Sequence, residues 1–320
     1  MKLGELFERA VQAGIENDPR GREGVEAELE RLRKEYEALG EREKQWFDKS
    51  RLTNPFADTR IHHGDPELEL KRIAVGVDTD NSELLLVSEL RRRGERIDAL
   101  VGHHPAGWNM SFHHVLEVQV DMLEQWGVPV NQAEAIMEPR IAEVSRGVLP
   151  SNTRRVPRTA ELLDVPFLSL HSVADVCVNR HVQRTIDEAE PRTVGDLIEL
   201  LTDSYPEYLE ARRMNEAMRI FAGKKDNRAG KTVVKFCGGT QGPVEQFEQL
   251  ARAGVGTMVC MHLREDARKE AEKHHINVLV AGHMASDSIG LNLLLAEVDP
   301  GRELEILPLS GYIFHDRRGN

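Results

Sequence analysis

Cysteine is scarce and scattered. The 320 residues hold three, Cys177, Cys237 and Cys260, and none sits in a Cys-x-x-Cys pair. Such spacing argues against a zinc ribbon or a disulfide scaffold and suits a reducing compartment. An apolar run long enough to span a bilayer is also missing. The opening stretch MKLGELFERAVQAG is charged and amphipathic, without the apolar centre of a secretion signal. These absences lead us to expect a cytoplasmic protein with no membrane partner. Nor does a Lys/Arg-dense run interrupt a chain whose formal net charge is −12. Wrapping a nucleic-acid backbone is therefore not expected, while a local site for a small phosphorylated ligand stays open. What is present is an ordinary globular content of apolar residues, 40%, beside 30% charged ones. The length is enough for a sizeable core and one or two domains.

Residues 1–50 read as helix. Leu3, Leu6, Phe7 and Ala10 form one apolar stripe, and Val25, Leu29, Leu32, Tyr36 and Leu39 step by four and three in a second. We expect a helical extension packed on its own domain; an oligomer contact is the alternative. From there the chain alternates. RIAVGVD (72–78) reads as a strand, NSELLLVSELRRRGE as a helix and DALVGHH as a second strand. This is the pattern of a parallel βαβ unit. It recurs in KTVVKFC, PVEQFEQLARAG and GTMVCMH, with INVLVAG and the helix SDSIGLNLLLAEV following. The predicted fold class is α/β, with duplicated βαβ-type units and largely parallel strands over 51–320. That region divides into two lobes if the charged, mostly helical stretch 184–228 is a connector.

Histidines stand where these strands end. His103 and His104 close the second strand, followed by Pro105 and Gly107. His171 and Asp175 follow the strand-like VPFLSL, and His283 and Asp287 follow INVLVAG. In open α/β sheets, ligands gather at the carboxyl ends of strands. On extended chain, neighbouring side chains diverge, so adjacent histidines serve one ion poorly; where the chain turns, they can serve two ions, one each. Positions four apart on a helix share a face. Imidazole with carboxylate suits zinc, iron, manganese or nickel. The competing reading is a histidine pair in a surface loop.

The segments GDPELELKRIAVGVDTDNSELLLVSEL, IDALVGHHP, HSVAD and VAGHMASD, in this order between Asp65 and Val298, resemble the NIF-three-like family of dinuclear metal-centre proteins. That family shows His-His-Pro after a strand, then His-Thr-x-x-Asp, then Gly-His-x-x-x-Glu. The resemblance implies that His103, His104, Asp175, His283 and Asp287 hold two divalent metal ions per subunit, with His171 in the second motif. It also implies a homo-oligomer, a hexamer above all. Asp287 stands where the family usually has Glu, Ser172 where Thr is common, and His262 where an acidic residue is expected.

The function this suggests is metal-dependent hydrolysis, cyclohydrolase-like or phosphoesterase-like, of a small phosphorylated or nucleotide-like substrate. No catalytic acid or base is identified; His171 and His262 are the candidates. One rival is a non-catalytic metal-binding assembly or regulatory protein. Another is an Asp-His-His phosphoesterase, although Gly102 occupies the place of its namesake aspartate. Among weaker signals, CGGTQGP (237–243) reads as a tight βα turn, with anion binding as the alternative. Asp78 could orient a ligand histidine, and Asp80 or Asn81 could cap the helix that follows. Trp108 opens a loop after which His113 and His114 could line the site. The pairs His62–His63 and His274–His275 read as surface features.

Overall fold

The computed structural model of the protein describes residues 1–107 and 112–319. Trp108 and the side chain of His113 lie outside the described residues. The chain begins with helices α1 (Leu3–Asn17), α2 (Gly21–Ala38) and the short α3 (Glu41–Lys44). A first unit follows: β1 (Arg60–His63), β2 (Arg72–Gly76), α4 (Asn81–Arg92), β3 (Ala99–Gly102), α5 (Val118–Gln125), α6 (Val130–Val148), α7 (Arg155–Leu163), β4 (Phe167–Ser169) and α8 (Ser172–Ala189). Helices α9 (Val194–Ser204) and α10 (Pro206–Arg213) lead into a second: β5 (Arg219–Ala222), β6 (Lys231–Lys235), α11 (Gln246–Arg252), β7 (Val255–Cys260), α12 (Glu265–Lys273), β8 (Asn277–Val280) and α13 (His283–Val298). The last strand is β9 (Glu305–Leu309).

The strands β2 and β3 are buried along nearly their whole length, so they read as unbroken apolar runs, as parallel strands covered on both faces do. They belong to a sheet of order β1-β4-β3-β2-β9, and a second sheet has the order β5-β8-β7-β6. In both, the first strand of the unit lies antiparallel on the edge, beside the fourth, and the rest run parallel. The duplication suggested by two βαβ patterns is therefore a duplication of strand order as well. The end of the stretch 184–228 is not helical, because it supplies the edge strand β5.

Two helices occupy the middle. The residues of α8 from Ser172 to Asn179 are all buried, and so is most of α13. A helix apolar on every side belongs in a core. The two cross closely at Gly290, where a Cβ would meet the Ala174 carbonyl oxygen at 2.7 Å. Helix α1 packs on both. Its Leu3 and Leu6, with Val25 and Leu29 of α2, share one buried cluster with Ile73, Val101 and Leu168 of the first sheet. The N-terminal helices thus complete the first unit's core. Asp80 caps α4, accepting from Ser82 N–H at 2.8 Å, while its own N–H donates to Glu83 at 2.8 Å.

Candidate metal centre

The histidines that follow β3, β4 and β8 come to the same place. His103 and His104 follow β3, and their N–H groups donate to Gly76 O (2.9 Å) and Val77 O (3.0 Å), extending the ladder with β2. His171 precedes α8, and Asp175 lies one turn into that helix. His283 is the first residue of α13, with Asp287 one turn on. The helix starts at His283 instead of Ser286 because Gly282, at φ 101°, turns the chain immediately before it. Asp287 is thus inside the helix and does not cap it.

Side-chain atoms of these residues converge. His103 Nε2 lies 3.3 Å from Asp175 Oδ1 and 3.5 Å from Asp287 Oδ1. Asp287 Oδ2 lies 3.4 Å from His104 Nε2 and 3.5 Å from His283 Nε2. His171 Nε2 is 3.5 Å from Asp175 Oδ2. Three sets can each hold a metal ion: His103 with Asp175 and Asp287, His104 with His283 and Asp287, and His103 with His104 and His171. The adjacent histidines address different oxygens of one carboxylate.

Each imidazole of the first unit is held from behind. His103 Nδ1 faces Leu170 O at 3.3 Å, His104 Nδ1 faces Asp78 Oδ1 at 2.7 Å, and His171 Nδ1 faces Asp58 Oδ2 at 2.6 Å. A proton on Nδ1, bonded to these acceptors, leaves Nε2 with a lone pair turned to the centre. Asp58 also accepts from the Ser172 hydroxyl at 2.8 Å. Burial works against its ionisation, but His171 and Ser172 outweigh it and hold the carboxyl below the usual range.

The donor set fits a metal. His103 Nε2, Asp175 Oδ1 and both oxygens of Asp287 are buried and make no hydrogen bond. Unpaired buried polar atoms are costly. Bonds of about 2.0–2.2 Å from nitrogen and oxygen to a tetrahedral ion place neighbouring donors about 3.3 Å apart, and the spacings here are 3.3–3.5 Å. Without an ion, a proton is the substitute. Burial lowers His103, but Asp287 and Asp175 more than offset it and raise its pKa to about 10. The same imidazoles hold Asp287 well below the carboxylate range against the pull of burial.

A cavity of about 40 Å³ adjoins the cluster, and its lining includes Asp175, His283 and Asp287 together with Lys235, Gln241 and Gln246. His262 also borders it, its ring 5.2 Å from that of His283. His62 is not a free surface group: it is half-buried, its Nε2 2.9 Å from Ser169 Oγ and its ring stacked on Phe167 at 5.0 Å. His275 is exposed. His114 pairs with Glu117 at 2.7 Å. Asp58 and Lys235 have no counterpart in the sequence reading. Asp58 lies 113 residues before His171, and no spacing rule links them.

No protein-family model matches the chain, and no curated protein matches it. Among solved structures, the chain is similar to a NIF3 superfamily protein from Sphaerobacter thermophilus. The two share 28% identity over 80% of this chain and 91% of that one, with a TM-score of 0.68. Weaker likenesses are to reduced HcgD from Methanocaldococcus jannaschii (14% identity, 78% and 87% covered, TM-score 0.47) and to a Bacillus cereus protein related to NIF3 (9%, 81% and 92%, 0.42). The chain therefore has a NIF3-type α/β fold, the likeness covering 80% of its length.

Proposed function

We propose that this protein is a metal-dependent hydrolase with two divalent ions, zinc, iron, manganese or nickel, acting on a small phosphorylated or nucleotide-like substrate. The observation that carries the reading is Asp287. Its two oxygens face separate histidine sets at donor-to-donor spacings of a shared ion, and neither has a hydrogen bond. His103, Asp175 and Asp287 would hold one ion; His104, His283 and Asp287 the other. Such ions supply Lewis acidity and an activated water when bound. The chain's own groups do the rest. Leu170 O, Asp78 and Asp58 fix the imidazole orientations. The narrow cavity limits water around the reacting group. His262, which borders the cavity, and His171, which also completes the third possible ligand set with His103 and His104, are the groups this reading assigns to moving a proton. The assembly belongs to the same proposal: a homohexamer, as the resemblance of the three motifs implies.

Elemental analysis of protein purified without chelator, followed by a phosphate-release panel with and without added metal, tests the reading. About two ions per subunit and metal-dependent release are expected, with metal content nearly abolished in the His103→Ala, His104→Ala double variant. Bound metal without turnover across the panel would move the assignment to a non-catalytic metal-binding assembly. Light scattering at micromolar concentration showing only a 36.1 kDa species would refute the hexamer.

A further inference from the structure

The cavity beside the metal cluster is lined in part by donors with N–H groups to spare. Lys235 is the last residue of β6, so its side chain leaves the sheet at the same carboxyl end as the histidines. Its ammonium group donates to the Thr240 carbonyl oxygen at 2.8 Å, and no carboxylate lies within ion-pair reach of it among the described residues. Gln241 and Gln246 are buried, at 6% and 2% exposure, and the Nε2 of each makes no hydrogen bond. Gln241 is held by its other end, its Oε1 accepting from Arg264 N–H at 2.6 Å. All three residues line the same cavity as Asp175, His283 and Asp287. Burial draws the lysine down to about 8, which leaves it cationic at neutral pH.

A cation and two amides with open N–H groups in one cleft are complementary to an oxyanion. Lys235 has two N–H bonds beyond the one to Thr240, and the two amides add four. Six donors exceed the roughly four acceptor positions of a carboxylate. A phosphoryl group, with three strongly accepting oxygens, matches them better. The cavity's volume of about 40 Å³ exceeds the roughly 10–15 Å³ that one water needs. It suits a single such group, with the remainder of a ligand outside.

We propose that Lys235, Gln241 and Gln246 form a phosphoryl-binding subsite that places a phosphorylated substrate against the metal cluster. Its role in turnover rests on the hydrolase reading; its binding of an oxyanion does not. The turn 237–243 then serves both as the βα connection and as one edge of the subsite, through Thr240 and Gln241.

The test is calorimetric titration with inorganic phosphate of the metal-loaded protein and of the same protein after chelation. Wild type and Lys235→Met are compared. The substitution keeps the stem and removes a buried charge, so the fold is expected to persist, and metal content is measured in parallel. In wild type, phosphate should bind in both states. In Lys235→Met the affinity should fall at least tenfold in both, with metal content unchanged. Gln246→Leu should weaken phosphate binding without altering the metal. Equal phosphate affinity in Lys235→Met and wild type would overturn the subsite. So would acetate binding as tightly as phosphate, because the cleft would then show no preference for a phosphoryl group. A wild-type protein that lacks metal yet binds phosphate through Lys235 would remove the hydrolase reading and leave the subsite standing.

Discussion

Asp58 acts on the centre through one hydrogen bond. It holds His171 Nδ1 at 2.6 Å and is itself fixed by Ser172. Asn at this position can still accept from Nδ1–H but carries no charge to favour it. Groups that orient metal-binding imidazoles typically matter about 10–100-fold in metal affinity. Asp58→Asn is therefore expected to weaken metal binding by about tenfold while leaving the number of ions at saturation unchanged, as read by competition with a chelator. An unchanged affinity would mean that His171 takes no part in the centre. Asp287 makes a different demand. It is 1% exposed and already reaches three imidazoles, so the shorter carboxylate is not short here. The longer side chain of Asp287→Glu has to be crowded in, at a cost of about 1–3 kcal/mol, and metal affinity should fall by about tenfold or more. Asp287→Asn, which retains one acceptor oxygen, should bind one ion in place of two. If calorimetric titration shows tighter binding in the Glu variant, reach is the limiting factor after all.

At the scale of elements, the centre depends on how closely α8 and α13 approach. Asp175 and Asp287 project from these two helices, and Gly290 permits the crossing, since a Cβ there would lie 2.7 Å from Ala174 O. A backbone atom cannot yield as a side chain does. Gly290→Ala should cost about 1–3 kcal/mol of stability and weaken metal binding with it, as the helices part and the carboxylates with them. Gly147→Ala in α6, where nothing lies within 4 Å, is the control: a gain of about 0.5–1 kcal/mol is expected with metal binding unaltered. Thermal melts and metal titration of both variants check the pair. Element scale is also where the sequence is most uneven as a guide. The parallel strands β2, β3, β7 and β8 are mostly buried apolar runs and are visible as such, while β6, at an edge, shows only by its pair of buried valines. The strands β1, β5 and β9 are not visible in this way. RIHH is polar and half-buried, RIFA starts with an exposed Arg219, and EILPL carries Pro308. Each lies at a sheet edge, where burial imposes no apolar pattern and proline is tolerated. The start of α13 escaped notice for a related reason: the backbone turn at Gly282, and not a capping side chain, sets it.

For the molecule as a whole, the significant fact is that the centre takes side chains from both units. His103, His104, His171 and Asp175 come from the first and His283 and Asp287 from the second, each at or just beyond a strand's carboxyl end. The ordered motifs made those residues legible, because a His or Asp at a strand end needs only local pattern to be noticed. Asp58 was not legible because the pairing of β1 with β4, and no sequence spacing, sets it beside His171; Lys235 and the open amides were not, because only the packing of one unit on the other brings them near the first unit's Asp175. An ion held by His103, Asp175 and Asp287 would therefore link the two units, and it would favour the native arrangement. Free metal at a hundred times its dissociation constant should stabilise the fold by about 2.7 kcal/mol. For a chain of this size that corresponds to a rise in melting temperature on the order of 5 °C. Chelation should reverse the rise, and Asp287→Asn should reduce it. The link also predicts the form of the effect. If the ions join the units, the whole unfolding transition moves together when followed by a far-UV signal and by a probe placed in either unit. A metal that shifts only a probe in the first unit, leaving the second where it was, would place the ion on His103, His104 and His171 alone and deny Asp287 its bridging position.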